Sequence, residues 1–358
     1  MITLPAVLKG TAFAAILIGV TGCQSVPAVE QSSAPLFGEA FTPVDAAAQN
    51  AAMGAGVNVL GYDPVWREPG NARFVPEHFR IIREAGFKNV RVVLQSFDFI
   101  DRAGKLDPRW LATLDGFVKA ALDQGLTVIL DEHDFNLCAE DPGVCRTKVN
   151  AFWTQIAPHY KDAPNRLIFE LLNEPHGAVT DEMWNTMLAE TLAVVRATNP
   201  TRNVIIGPGH WNSLKSLPLL QLPQADRHII VTFHYYTPME FTHQGAAFIG
   251  PPIANRVGVT WGTPVEVKLL NDEFDEVKAW SVAQDRPIFL GEFGVYDRAE
   301  MRQRVNWAGT VARAAEGRGF SWAWWQFDPD FVLWDFAKPG WVEPILNALI
   351  PPTNKTKQ

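Results

Sequence analysis

Two glutamates end short apolar runs, at positions where a carboxylate can do chemistry. Glu174 closes the run LLNE at 171–174, and Glu292 closes the run IFLGE at 288–292. Such runs are typical of buried parallel strands, and enzymes built on them place reactive groups at the carboxyl ends of the strands. Two carboxylates on different strands can supply the general acid/base and the nucleophile for retaining cleavage of a glycosidic bond.

Six further polar or aromatic side chains also fall at the predicted carboxyl ends of strands. Because barrel enzymes build their sites at that end, we expect all six to bind substrate. Arg91 and Tyr236 can donate hydrogen bonds that keep the carboxylate of Glu292 ionised. The histidines can orient carboxylates or sugar hydroxyls, Asn173 can donate to a sugar 2-hydroxyl, and Trp325 offers a flat apolar face to a pyranose. The six residues are Arg91, His133, Asn173, His234, Tyr236 and Trp325.

Each of these residues also has a purely structural explanation. Glu174 could be a buried strand residue that shares a face with Glu170, and Arg91 could form a structural ion pair. The histidines and the tyrosine could be hydrogen-bonded wall residues of a barrel, and neighbouring tryptophans leave the register of Trp325 open. Four other tryptophans are either sugar platforms or core residues: Trp66, Trp211, Trp261 and Trp334.

From residue 55 onward, strand-like apolar runs alternate with helical patterns. Eight β-then-α units in one chain favour the α/β class and a single (β/α)8 TIM barrel over an open doubly wound sheet. The connection over 237–265 exceeds ordinary loop length and is predicted to be a substrate loop. The predicted strands cover 56–60, 89–94, 127–131, 167–172, 203–207, 228–233, 287–291 and 320–325, and the clearer helices cover 76–85, 108–123, 180–197 and 298–316.

The ordered set of motifs resembles glycoside hydrolase family 5, also called cellulase family A, in an endoglucanase-like, bacterial lipoprotein form. The motif NEP at 173–175 resembles the acid/base motif of that family, and GEFG at 291–294 resembles its nucleophile motif. The six supporting residues follow in family order at the matching strands. The resemblance implies a (β/α)8 fold, a retaining mechanism that uses Glu174 and Glu292, and a β-linked glycan substrate.

We therefore expect a retaining endo-β-1,4-glucanase that acts as a monomer on β-glucan polysaccharide or oligosaccharide, with no cofactor and no metal. The segment FTHQ at 241–244 resembles one found in family members that act on β-glucans. The alternatives are a β-mannanase, another β-glycanase acting on xyloglucan or β-1,3-glucan, and a catalytically inactive glycan-binding barrel. The formal net charge of −8 argues against nucleic acid as a partner.

The N-terminus has the pattern of an export signal. Lys9 precedes an apolar stretch over 12–20, and the segment VTGC at 20–23 resembles the bacterial lipobox. We expect a lipoprotein-type signal peptide over 1–22, a lipid anchor on Cys23, a flexible tether over 23–45, a catalytic domain over 46–351 and a disordered tail over 352–358. The exported protein is expected in the outer membrane or at the cell surface. The alternative is a periplasmic or secreted protein in which Cys23 is incidental.

Two cysteines remain in the body of the chain. Cys138 and Cys145 lie in a segment that reads as a polar loop with a Pro-Gly turn. In an exported protein the expected state is a disulfide. The alternative is a metal site that includes His133, but two thiols and one imidazole lack a fourth ligand and the usual spacing.

Overall fold

Eight parallel strands pair in sequential order, and the last pairs with the first to close a barrel. The computed structural model of the protein describes residue 37 and residues 39–352. The predicted (β/α)8 barrel is confirmed. The signal peptide, Cys23, most of the tether and residues 353–358 lie outside the described residues. The strands are β1 (Ala55–Val59), β2 (Asn89–Leu94), β3 (Thr127–Glu132), β4 (Leu167–Glu170), β5 (Val204–Ile206), β6 (Ile229–Tyr235), β7 (Ile288–Phe293) and β8 (Ser321–Trp324).

Helices alternate with these strands, and the four clearest predicted helices are present within a few residues of their expected bounds. Asp107 caps one of them by accepting from the backbone N–H of Arg109, with Pro108 as the first helical residue. A two-stranded hairpin, β9 (Trp334–Asp335) and β10 (Gly340–Trp341), follows the barrel. The helices are α1 (Ala46–Met53), α2 (Glu77–Ala85), α3 (Pro108–Asp123), α4 (Phe135–Glu140), α5 (Pro142–His159), α6 (Asp181–Arg196), α7 (Gly209–Asn212), α8 (Met239–Thr242), α9 (Pro264–Gln284), α10 (Met301–Gly317) and α11 (Glu343–Leu349).

An apolar layer fills the lower part of the barrel. Four isoleucines, one phenylalanine and one alanine from the strands meet two residues of α1 there, as expected for a barrel interior that is a packed core. Helix α1 closes this end, because Asn50 hydrogen-bonds to Gly319 and Ser321 at the amino end of β8. The opposite, carboxyl end is therefore the open mouth. The layer comprises Ala46, Met53, Ile129, Ile168, Ile205, Ile230, Phe289 and Ala323.

Strand β7 carries a bulge close to Glu292. Its register against both neighbouring strands shifts between Leu290 and Phe293. Phe289 packs in the interior layer, whereas Leu290 and Phe293 pack in the outer core between strands and helices. Strict alternation from Phe289 would turn Glu292 outward. The extra residue of the bulge turns it back into the barrel, where its carboxylate contacts Arg91.

The predicted disulfide is present between Cys138 and Cys145. The surrounding segment is not a loop, however. Cys138 belongs to α4 and Cys145 belongs to α5, and the two helices are separated only by Asp141, which caps α5 through its side chain. Both cysteines are buried. The bond therefore joins two consecutive helices, and it leaves no free thiol there for the alternative metal site with His133.

The connection after β6 is long and mostly irregular, as predicted. It runs over 236–263 and includes the single turn α8. Gln244 holds it together, since its side-chain amide donates to the carbonyl of Val259 and accepts from the backbone N–H of the same residue. Within residues 39–352, none of the helices has the length and apolarity that crossing a bilayer requires.

Candidate active site

Arg91 occupies the centre of the barrel mouth. It projects from β2 and is fully buried. Its guanidinium donates two hydrogen bonds to Glu170, at 2.7 and 2.9 Å, and one to Glu292, at 2.7 Å. It also lies 3.0 Å from Asp131 and donates to Asn173 Oδ1 at 2.8 Å. A single guanidinium thus contacts three carboxylates, so the structural ion pair considered from sequence exists within the site.

Glu292 is surrounded by donors. Besides Arg91, it accepts from the hydroxyl of Tyr236 at 2.9 Å. His234 Nδ1 lies 3.6 Å from Glu292 Oε2, the same oxygen that Tyr236 contacts. Burial raises the pKa of Glu292 above its ordinary value, while Arg91 and the hydrogen bond from Tyr236 act in the opposite direction. Two strong donors favour the ionised carboxylate, the state that a nucleophile requires.

Glu174 has a different environment. The predicted strand over 167–172 is too long: β4 ends at Glu170, and Glu174 lies in the following loop with φ of 40° rather than on a strand face shared with Glu170. Its carboxylate faces Nδ1 of His234 at 2.7 Å, and Asn212 holds the opposite ring nitrogen at 3.3 Å. Burial, and then the negative charge of Glu292, raise the pKa of Glu174 well above its ordinary value.

The two glutamates are close together. One oxygen of Glu174, one oxygen of Glu292 and a ring nitrogen of His234 all lie within 4.8 Å of one another. Among the described residues, this is the one group of three histidine, cysteine or acidic side chains close enough to share a metal ion. The hydrogen bond from His234 to Glu174 accounts for the short distances without an ion.

His133 and Trp325 form one wall of the mouth. Trp325 follows the last residue of β8, which settles its register, and its ring stacks on His133 with centroids 5.4 Å apart and planes 6° apart. His133 Nδ1 lies 2.5 Å from Asp131, and Nε2 lies 3.3 Å from the Asn173 amide nitrogen. Burial lowers the pKa of His133 to about 4. The imidazole is therefore neutral at ordinary pH.

The four tryptophans whose roles the sequence left open fall into two groups. Trp66, Trp261 and Trp334 are buried and belong to the core. Trp211 is 52% exposed, and its indole stacks on His176 with centroids 4.5 Å apart. Its backbone N–H donates to the carbonyl of the residue that follows Glu174. Trp211 is thus an exposed aromatic platform next to the loop of Glu174.

Sequence reasoning missed three residues of the mouth. Asp131 and Asn58 contact Arg91 from neighbouring strands, and Tyr62 packs edge-on against Trp325 with centroids 6.4 Å apart. For Asn58 and Asp131 the available signal was a polar residue within an apolar strand pattern, whereas Tyr62 follows β1 in a turn and had no such signal. The sequence suggests Glu170 only as a residue that packs beneath Glu174, whereas in the structure Glu170 forms an ion pair with Arg91.

Comparisons with known proteins identify the family of the chain. The sequence profile of cellulase, glycosyl hydrolase family 5, matches residues 50–331. Endoglucanase H of Acetivibrio thermocellus is 32% identical over 313 residues, which cover 84% of this chain and 33% of that protein. The chain therefore spans about a third of that relative's length.

This chain is also similar to proteins of known structure. The structure of Thermotoga maritima Cel5A in complex with cellobiose has a TM-score of 0.82 and 36% sequence identity, covering 86% of this chain and 100% of that chain. The same enzyme in complex with mannotriose has a TM-score of 0.82 and 35% identity, over 86% of this chain and 100% of that chain. The family match covers most of a chain that folds as a closed barrel, and the chain accordingly belongs to glycosyl hydrolase family 5, the cellulase family, as a glycoside hydrolase of the cellulase type.

Proposed function

We propose that this protein is a retaining endo-β-1,4-glucanase. The observation that carries the proposal is the approach of Glu174 and Glu292, because one carboxyl oxygen of Glu174 lies within 4.8 Å of one carboxyl oxygen of Glu292. Retaining glycosidases hold their two carboxyl groups about 5–5.5 Å apart, whereas inverting enzymes leave about 6.5–9.5 Å for a water molecule. The short separation supports direct attack by one carboxylate on the sugar.

The different environments of the two glutamates support the assignment of roles. Glu292 accepts hydrogen bonds from Arg91 and Tyr236, so it stays ionised and attacks the anomeric carbon. Glu174 is the general acid, because burial and the neighbouring charge keep its proton on until the leaving oxygen takes it. After the covalent intermediate forms, Glu174 acts as the base that activates water.

The remaining predicted residues fit binding roles in the same mechanism. Asn173 donates to the sugar 2-hydroxyl, whose hydrogen bond strengthens in the transition state. His133 and His234 orient Asn173 and Glu174, which they contact directly. Trp325 supplies an apolar face at the wall of the mouth.

The experiment is a substrate panel with purified protein, read by reducing-sugar release and by NMR of the first-formed product anomer. We expect activity on carboxymethylcellulose and mixed-linkage β-glucan, with the β-anomer formed first. The Glu292→Gln protein, purified in parallel, controls for contaminating cellulases. An initial α-anomer contradicts retention, and a chain inactive on every glycan in the panel contradicts the enzyme assignment.

A β-mannanase is the second candidate, because Cel5A of Thermotoga maritima, whose structure is similar, is also known in complex with mannotriose. Glucose and mannose differ in the orientation of one hydroxyl, and one such contact is worth about 1–3 kcal/mol. Cross-activity on glucomannan is therefore expected. A rate on mannan at least about tenfold above the rate on β-glucan reverses the assignment.

We further propose that the protein is exported and anchored through lipid on Cys23. The support is sequence alone: Lys9, the apolar stretch over 12–20 and the lipobox-like segment over 20–23. Two or more acyl chains give stable anchoring. Cys23→Ala should move the protein from the membrane fraction to the soluble exported fraction. A wild-type protein that is soluble after export and cleaved at another position contradicts the anchor.

A further inference from the structure

A closed ring of polar contacts lies beneath the mouth of the barrel. Arg91 Nη2 donates to Asn173 Oδ1 at 2.8 Å, and Asn173 Nδ2 lies 3.3 Å from His133 Nε2. His133 Nδ1 lies 2.5 Å from Asp131 Oδ2, and this oxygen lies 3.0 Å from Arg91 Nη2. All four side chains are buried, so water cannot replace a lost partner.

Only one arrangement of protons satisfies this ring. A guanidinium can only donate, so Asn173 must turn its oxygen to Arg91 and its amide nitrogen to His133. That amide nitrogen also donates, so Nε2 of His133 must accept and the ring proton must lie on Nδ1. The proton on Nδ1 then needs an acceptor, which is Oδ2 of Asp131.

The aromatic neighbours of His133 cannot choose this tautomer. Trp325 stacks on the imidazole and Phe135 meets it edge-on, with planes 6° and 87° from that of His133. These contacts hold the plane of the ring but do not distinguish which nitrogen carries the proton. Burial keeps the imidazole neutral, so it has a single N–H to place. The tautomer is therefore set by Asn173 at Nε2 and by Asp131 at Nδ1, and Asp131 supplies the acceptor for the ring proton.

Charge balance does not explain the presence of Asp131. Arg91 already makes two hydrogen bonds to Glu170 and one to Glu292. A third buried carboxylate adds negative charge and a desolvation cost that Arg91 does not need for its own neutralisation. The second oxygen of Asp131 also has no hydrogen-bond partner among residues 39–352. The oxygen facing His133 is the part of this side chain that the surrounding structure uses.

We propose that Asp131 is a positioning residue, which holds the His133 tautomer and thereby keeps one Asn173 amide N–H directed at the 2-hydroxyl of the sugar being cleaved. This inference rests on the proposed glucanase function, because that hydroxyl belongs to the substrate. Asp131 touches neither the substrate nor the reacting atoms. Its effect must therefore disappear when the 2-hydroxyl is absent.

The test compares two substrates, 2,4-dinitrophenyl β-cellobioside and its analogue without the 2-hydroxyl on the sugar next to the leaving group. Asp131→Leu removes the acceptor. It should lower kcat/KM on the parent by about 10- to 100-fold, and on the 2-deoxy analogue by about threefold or less. Asp131→Asn can keep an oxygen facing His133, and it should stay within about threefold of wild type on both substrates.

Glu132→Leu is the matched control. Glu132 is the next residue of β3 and is equally buried, but its carboxylate accepts from Ser96 and from the backbone of Asp134 and makes no hydrogen bond to the four side chains of the ring. Any activity lost through removal of a buried carboxylate from this strand should affect both substrates equally in this variant. Circular dichroism and a melting curve establish that each variant is folded.

If Asp131→Leu does not fold, His133→Phe replaces it, since phenylalanine keeps the stacking on Trp325 and breaks the hydrogen-bonded ring. The same loss, restricted to the parent substrate, is expected. A loss of equal size on both substrates, or no loss on either, overturns the inference while the glucanase function stands. A wild-type protein that cleaves neither the aryl cellobioside nor β-glucan overturns the proposed function, and the inference with it.

Discussion

Glu174 accepts one side-chain hydrogen bond among residues 39–352, from Nδ1 of His234 at 2.7 Å. The pair sits beside Glu292, which receives two strong donors. Burial raises the pKa of both carboxyl groups, and the rise is greater for Glu174 because the charge of Glu292 adds to it. The order of ionisation that acid catalysis needs is therefore built into the contacts.

The catalytic activity should depend on pH on both sides of an optimum. Activity requires ionised Glu292 and protonated Glu174, so kcat/KM should fall below the pKa of Glu292 and above the pKa of Glu174. With Glu174→Gln, the alkaline limb should disappear while the acid limb remains, measured with 2,4-dinitrophenyl β-cellobioside, which needs little protonation. Activity on β-glucan should fall far more than activity on this aryl substrate. Equal losses on both substrates would count against Glu174 as the acid.

Removal of the nucleophile should abolish turnover without loosening the fold. Glu292→Gln should lower kcat by at least about a thousandfold on every substrate. Arg91 keeps Glu170 and Asp131 as partners, and one negative charge leaves a crowded site. The melting temperature should therefore stay equal or rise. A variant that is inactive because it is unfolded, as judged by circular dichroism, leaves Glu292 with a structural role and contradicts the assignment.

The buried carboxylates should make stability depend on pH in an unusual direction. Burial raises the pKa of Asp131 and of Glu170 to about 7, against the partial compensation of Arg91. The native protein holds these protons when the unfolded chain has lost them. The two protonated carboxyl groups thus contribute fully to the free energy of unfolding below about pH 4, and this contribution disappears as pH rises through about 7.

The measurement is the difference in melting temperature between wild type and Asp131→Asn across pH 4 to 8. The wild type should lose more stability than the variant between about pH 4 and about 7, because the amide cannot ionise. Parallel curves for the two proteins would show that Asp131 keeps an ordinary pKa. The comparison cancels the titration of groups outside the barrel mouth.

The bond between Cys138 and Cys145 should stabilise the protein modestly, because the loop it closes is short. The two cysteines are seven positions apart. Replacing both with alanine should lower the free energy of unfolding by about 2 kcal/mol in chemical denaturation. Wild-type protein unfolded in the presence of a reductant should approach the stability of this variant. An unchanged midpoint would mean that the helices α4 and α5 are held together without the bond.

Trp211 should contribute to binding of long substrates. Trp211→Ala should raise KM for β-glucan by about tenfold with little change in kcat, since the loss of one apolar contact is of that size. The exposed residue Val257, changed to alanine, is the control for a surface truncation on another loop. A fall in kcat at unchanged KM would show that Trp211 acts through the loop of Glu174 rather than as a platform.

The sequence pattern was sufficient for the number and order of the strands. Apolar runs and turn residues are local signals, so the eight strands and the helix over 108–123 could be predicted. The end of β4 could not, because its apolar run continues past the last paired residue, Glu170. The left-handed conformation of Glu174 depends on the loop in which it sits.

The contacts of Arg91 illustrate what a single sequence leaves out. Its partners Asp131, Glu170 and Glu292 come from three different strands, and only closure of the barrel brings them together. Their charges could be read from the chain, but the pairing could not. The disulfide was predicted from the expected export of the protein, whereas its placement between two helices required the structure.

The bulge in β7 places Gly291, the residue between Leu290 and Glu292, tightly against β6. A Cβ atom added to Gly291 would lie 2.6 Å from Thr232 Oγ1 and 3.0 Å from His234 Nε2. Any larger residue at this position would therefore displace the histidine that contacts Glu174. Deletion of Gly291 would instead remove the bulge, and plain alternation from the outward Leu290 would still turn Glu292 into the barrel. Libraries for engineering this strand should therefore keep the glycine and vary Leu290, whose side chain packs in the outer core.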